Sequence, residues 1–252
     1  MPSWLQAGLW GGLAGSALLL GALVGYATCL PQRLLAGIMA FGAGVLISAL
    51  SFELMEEAVR HGDFLAVAIG FVSGAAVYSA ANVVLARQGA KHRKRSGSQQ
   101  PSQEQDSSSG LAIAVGALLD GIPESIVIGV SLLTGSGSVR FVAVAAIFLS
   151  NVPEGLSSSS GMKKAGRSKA YVFGVWGGIA LVSALASLLG YVLFRGVSSG
   201  VIAGTMAVAA GAILAMIADT MIPEAVEGAH DLTGLITVLG FLAAFLLGRV
   251  GG

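Results

Sequence analysis

Charge is scarce in this sequence. Only 11% of its 252 residues are Asp, Glu, Lys or Arg, against about 25% in a soluble domain, so a water-soluble globular class is excluded. There is one cysteine, Cys29. That excludes an internal disulfide and a cysteine-based zinc site, and Cys29 reads as a small packed residue. The three histidines, His61, His92 and His230, fall in stretches that read as loops. There is no His-Glu-x-x-His and no Ser-His-Asp set, so no enzyme is expected. No G-x-x-x-x-G-K-[ST] loop occurs, which excludes an ATP-driven pump on this chain. The start, MPSWLQAGLW, lacks the basic leader of a signal peptide. The first apolar segment is therefore expected to be a retained helix.

What the sequence has is long apolar runs. Apolar residues make up 55% of the chain and its mean hydropathy is +0.83. Runs of about 20 apolar residues span a bilayer as helices, and 37 glycines suit close packing of such helices. Eight spans are expected, at Leu5–Leu30, Leu34–Val59, Phe64–Ala86, Leu111–Leu133, Phe141–Gly161, Tyr171–Phe194, Val201–Val226 and Leu232–Leu247. The chain reads as one all-α polytopic membrane domain. Residues 1–86 carry helices 1–3 and residues 111–252 carry helices 4–8. Between them, residues 87–110 are rich in Ser and Gln behind a basic head, and read as a disordered loop. With the N-terminus outside, the inside loops hold ten Lys and Arg and the outside holds four. That bias puts both termini outside and the 87–110 loop in the cytoplasm. The basic run reads as a cytoplasmic retention signal, and no nucleic-acid partner is expected. The compact chain suggests the plasma (inner) membrane, crossed many times, with lipid as a partner.

Two internal repeats stand out. LDGIPES, with Pro123-Glu124, is followed thirty residues later by SNVPEGL, with Pro153-Glu154. Each Glu lies roughly 20 Å into its helix at about 1.5 Å per residue. Separately, AGVLISALSFELMEEAV (Ala43–Val59) matches AGAILAMIADTMIPEAV (Ala210–Val226) at an offset of 167. The second and seventh spans run in opposite directions, so this pattern reads as inverted-repeat symmetry of the kind secondary transporters use around a midplane site.

A carboxylate at the bilayer centre costs about 2.5–3.5 kcal/mol on insertion scales, so it needs a proton, a partner or a cation. Asp120 and Glu124 share a helix face, as Ser150 or Asn151 does with Glu154. Pro123 and Pro153 lack an N–H and free the carbonyls of Leu119 and Leu149. No basic residue lies within the middle of any span. The expected site is therefore an oxygen-lined pocket with up to three negative charges, and a divalent cation is its natural counter-charge. A structural kink with a snorkelling Glu and a metal-free proton relay stay open as alternatives. Glu53, Glu56 and Glu57 near one mouth, and Asp219, Glu224 and Glu227 near the other, can gather cations as an entrance and an exit. Ordinary interfacial charge is the bland reading of both clusters. Asn82 reads as a helix-packing hydrogen bonder, and His230 as a solvated loop residue.

These features resemble the ZIP (Zrt-, Irt-like protein) family of divalent metal transporters. Eight spans, a long third loop and Pro-Glu motifs in the fourth and fifth spans carry the resemblance across nearly the whole chain. Its most specific part is NVPEG at Asn151–Gly155, close to the family's His-Asn-x-Pro-Glu-Gly. The resemblance implies transport of zinc first, with manganese or iron as alternatives, toward the cytosol. It implies a metal site between the fourth and fifth spans and an elevator-like motion. It places Asp120, Glu124 and Glu154 as ligands, assisted by Asn151 or Ser150. The chain departs from the pattern in five places. In the fifth span, Ser150 precedes Asn151 where the family often offers His, Gln or Asp. Asp120-Gly121 stands for His-Asn, Ser183 or a neighbour for a metal-bridging Glu, Asp219-Thr220 for an acidic or His pair, and His92 alone for a His-rich loop. The expected site is thus mononuclear and all-oxygen, a ligand set that favours zinc less than imidazole does. A transport-inactive member acting as a metal sensor or structural protein, and a channel, are the competing functions. Small-residue faces such as GVWGGIALVSALASLLG serve internal packing or a homodimer equally well.

Overall fold

The computed structural model describes residues 1–96, 100, 109–134 and 141–251, and among these there is no strand. Eight helices among the described residues are long and apolar enough to cross a membrane. They are α1 (Ser3–Ala27), α2 (Gln32–His61), α3 (Phe64–Arg87), α4 (Ser109–Ser131), α5 (Phe141–Lys164), α6 (Lys169–Phe194), α7 (Ser199–Gly228) and α8 (Thr233–Gly251). The spans read from the sequence are all present, in order, with ends shifted by a few residues. His61 closes α2 and does not lie in a loop. Of the stretch expected to be disordered, residues 97–99 and 101–108 lie outside the described residues, as do Arg140 and the side chain of His230.

Local chemistry sets the helix ends. Pro2 and Pro31 precede α1 and α2, where a missing N–H costs nothing. Asp63 caps α3, its Oδ1 accepting from the N–H of Leu65 at 2.8 Å and of Ala66 at 3.2 Å. Beyond α3, Gly89 adopts φ 97°. That left-handed turn suits glycine, and it sends the chain back toward the bundle through a short 3₁₀ turn at Ala90–His92.

The helices sort by burial. α2, α5 and α7 are the most buried, α4 is intermediate, and α3, α6 and α8 are the least. The outer helices present large apolar side chains, among them Val72, Leu181 and Leu239, as lipid-facing surfaces do. Glycines let backbones meet in reciprocal pairs. A side chain at Gly155 would strike the backbone of Leu18, and one at Gly21 that of Val152, which joins α1 to α5. Gly129 and Gly190 do the same for α4 and α6 against Ser187 and Ile126. Gly44 and Gly240 join α2 to α8 against Thr237 and Phe41, and Gly74 and Gly211 join α3 to α7 against Val208 and Phe71. Both long central helices switch to π-helix part-way, α2 at Leu50–Met55 and α7 at Ile217–Met221.

Candidate functional site

The Pro-Glu motifs lie on neighbouring helices that both stay α-helical through their prolines. Pro153 packs on Gly42 of α2, where a side chain would meet its ring. Asp120, Glu124 and Glu154 are all buried, with 4% or less of their surface exposed. Asp120 and Glu124 are four positions apart, which stacks them on one face of α4.

The structure brings cationic partners to these carboxylates from an unexpected place. Lys94, from the head of the polar stretch, puts its Nζ 3.0 Å from Glu154 Oε2 and 3.4 Å from Asp120 Oδ2. These are charge contacts without hydrogen-bond alignment. Arg93 donates from Nε and Nη2 to the two Asp120 oxygens at 2.9 and 2.8 Å, a two-point pair of the kind guanidinium favours. Tyr78 of α3 donates to Asp120 Oδ1 at 2.5 Å and accepts from Arg93 at 2.9 Å. Burial opposes the charge on Arg93, but the Asp120 carboxylate outweighs it and raises the guanidinium above its ordinary value. The head of the 87–110 stretch is therefore folded against the bundle, contrary to the expectation of disorder along its length. Ion pairing explains why: buried carboxylates draw in the nearest tethered cations. It also corrects the view that the carboxylates have only a dissolved ion to balance them.

Each expected ligand can be placed. Glu124 has Glu154, Lys94 and Asp120 as its electrostatic neighbours, and its Oε1 has no hydrogen-bond partner. Asn151 donates its amide to the Ala14 carbonyl at 3.0 Å, so that end of the side chain holds α1. Ser150 donates to the Ile147 carbonyl of its own helix at 2.9 Å. Ser183 of α6 faces Gly121, its Oγ 3.8 Å from where a side chain there would begin. Among the described residues no three His, Cys, Asp or Glu side chains converge as a metal-holding group. The Lys94 ammonium is shared between Asp120 and Glu154.

The expected mouths differ from each other. At the far end of α2, Glu57 is buried with His61 Nε2 at 3.0 Å, and Glu56 pairs with Arg60. Glu53 and Glu56 line a cavity of about 180 Å³ with Ser48, Phe52 and Arg249. At the opposite end, Glu224 is buried and accepts from the Ser96 N–H at 2.9 Å and the Ser96 hydroxyl at 2.5 Å. Arg95 reaches Glu227 at 2.5 Å and Glu224 at 3.6 Å. Asp219 is exposed and accepts from Asn82 at 3.5 Å. Asn82, expected to pack helices, also accepts from Arg93 at 2.8 Å. His92 is held below its ordinary value by partial burial and then by Arg95 and Lys91, with Glu227 and Glu224 opposing.

Sequence reasoning missed Tyr78, Arg93, Lys94 and the serines of α5. Ser157 Oγ lies 2.8 Å from the Lys94 carbonyl and 2.9 Å from Glu224 Oε1, and Ser158 donates to the Arg93 carbonyl at 2.5 Å. The run LSSSSG was the available signal, since four serines inside an apolar helix need acceptors. Comparison with protein-family models finds none that matches the chain, and comparison with curated proteins finds no match.

Proposed function

We propose that this protein is a secondary transporter that moves divalent metal ions across its membrane through Asp120, Glu124 and Glu154. One observation carries the reading. Three buried carboxylates lie on two adjoining apolar helices, and their cationic neighbours, Arg93 and Lys94, come from outside the spans. The membrane helices thus hold negative charge that they do not balance themselves, which is the condition for binding a mobile cation. Membership of the ZIP family belongs to this proposal and rests on the eight spans and on DGIPES and NVPEG. So does a mononuclear, all-oxygen site that takes zinc first and manganese or iron as alternatives.

The packing supports inverted-repeat symmetry. Phe41 and Gly44 of α2 meet α8, and Val208 and Gly211, each 167 residues later, meet α3. Leu18 and Gly21 of α1 meet α5, and Ser187 and Gly190, each 169 residues later, meet α4. The π segments recur in the same register, at Leu50 and Ile217. Lys163 reaches the Tyr26 carbonyl and Lys164 the Ser96 carbonyl, so basic residues gather at one face. That supports a cytoplasmic assignment for this face with both termini outside; transport toward the cytosol is what the family resemblance implies, here across the inner membrane. The Arg93–Asp120 pair favours one second reading, a transport-inactive sensor or structural protein, because an incoming ion must break it.

Uptake into proteoliposomes tests the proposal. With Zn²⁺, Mn²⁺, Fe²⁺, Cd²⁺ and Mg²⁺ offered in parallel, the parent is expected to carry zinc and at least one other metal. Glu124→Ala/Glu154→Ala is expected to carry none. No uptake by folded parent protein would move the assignment to the inactive reading.

A further inference from the structure

We propose that Arg93–Ser96 is a tethered counter-cation that competes with the divalent ion for the same oxygens and must withdraw before metal binds. This rests on the cation-site reading above. Lys94 and Arg93 between them engage both oxygens of Asp120 and one of Glu154. A metal ion could not use these oxygens while the two side chains remain.

The bundle is shaped to receive this segment. A side chain at Gly116 of α4 would collide with the Arg93 stem, and one at Gly161 of α5 with the Arg95 carbonyl and Gln100. Both glycines leave room for the returning chain. The segment is held by polar contacts and not by an apolar core. Ser96 bonds Glu224, accepts from Gln32 at 2.6 Å, and accepts at its carbonyl from Lys164 at 2.8 Å. Gln100 reaches the carbonyls of Arg93 and Arg95 at 3.1 and 2.9 Å. Such contacts exchange readily for water, and Gly89 supplies the hinge toward α3. A buried ion pair is also weak evidence for stability, since desolvation offsets its attraction. Glu224, expected as a mouth that gathers cations, acts here as the latch.

A site that is open in only a fraction of molecules binds its ligand more weakly in proportion to that fraction. Removing the tether should therefore tighten binding. Zn²⁺ and Mn²⁺ binding to the intact detergent-solubilised chain would be measured for parent, Lys94→Ala, Lys94→Arg and Gly161→Leu, each checked for cooperative thermal unfolding. Gly161→Leu keeps every charge and drives a side chain against the Arg95 carbonyl and Gln100. Lys94→Ala and Gly161→Leu are expected to tighten Zn²⁺ by about tenfold or more, with Lys94→Arg near the parent. In the parent, saturating Zn²⁺ is expected to expose the bonds after Arg93, Lys94 and Arg95 to trypsin. Binding by all four proteins at one affinity, with tryptic cleavage unchanged by metal, would overturn the tether and leave the cation site standing. No divalent binding by any of them would overturn the cation site and the tether together.

Discussion

Asp120 and Glu124 sit one turn apart on the same face of α4, yet their surroundings differ sharply. Asp120 is held by Tyr78, Arg93 and Lys94, whereas Glu124 keeps an oxygen without a hydrogen-bond partner. The two should therefore respond differently to neutralisation. Breaking a permanently buried pair by removing one partner costs about 3–5 kcal/mol. Asp120→Asn is expected to cost less than that in thermal unfolding, because Arg93 can withdraw to water, and to raise tryptic cleavage near Arg93. Glu124→Gln is expected to leave stability unchanged or higher and to abolish metal binding. A full buried-pair loss in Asp120→Asn, without added cleavage, would show the segment to be fixed. The carboxylates were legible in the sequence because charge inside an apolar run is costly. Lys94 was not, because its return to the bundle depends on tertiary electrostatics and not on periodicity. Tyr78 was hidden for another reason: an aromatic in an apolar helix reads as packing, and only its hydroxyl partner reveals more.

At the scale of elements, apolar length gave eight spans whose order the structure keeps, while helix register came from the glycines. The Pro-Glu motifs align Pro123 with Pro153, thirty residues apart, but the backbone contacts align Gly129 with Gly155, twenty-six apart. The difference of four is about one helical turn. Under the proposed inverted repeat the two motifs are offset along α4 and α5 relative to the packing, and Lys94 reaches both Asp120 and Glu154. Reading motif spacing alone could not reveal this, since contact register lies in small residues that match easily by chance. Glycine substitutions test the packing. Gly155→Leu drives a side chain into the Leu18 backbone and should lower stability by about 1–3 kcal/mol or more. Gly177→Leu, which meets nothing within 4 Å, should be near neutral in the same detergent melt. Equal effects would mean that α1 and α5 do not meet as described.

On the scale of the whole molecule, α2, α5 and α7 are the most buried helices, and α3, α6 and α8 the least, although α3 reaches Asp120 through Tyr78. One end carries Glu53 and Glu56 around a cavity. The other is closed by the basic segment latched on Glu224. On the proposed reading, the site between opens to a cation only when that segment moves, so the proposed transport and the proposed tether share one structural requirement. Locating Mn²⁺ by its anomalous scattering in crystals of the intact protein tests this most directly. The account expects a single ion among Asp120, Glu124 and Glu154, with Lys94 displaced from both of its carboxylate partners. Lys94 still within ion-pair distance of Asp120 and Glu154, and no ion between them under conditions that support uptake, would contradict it.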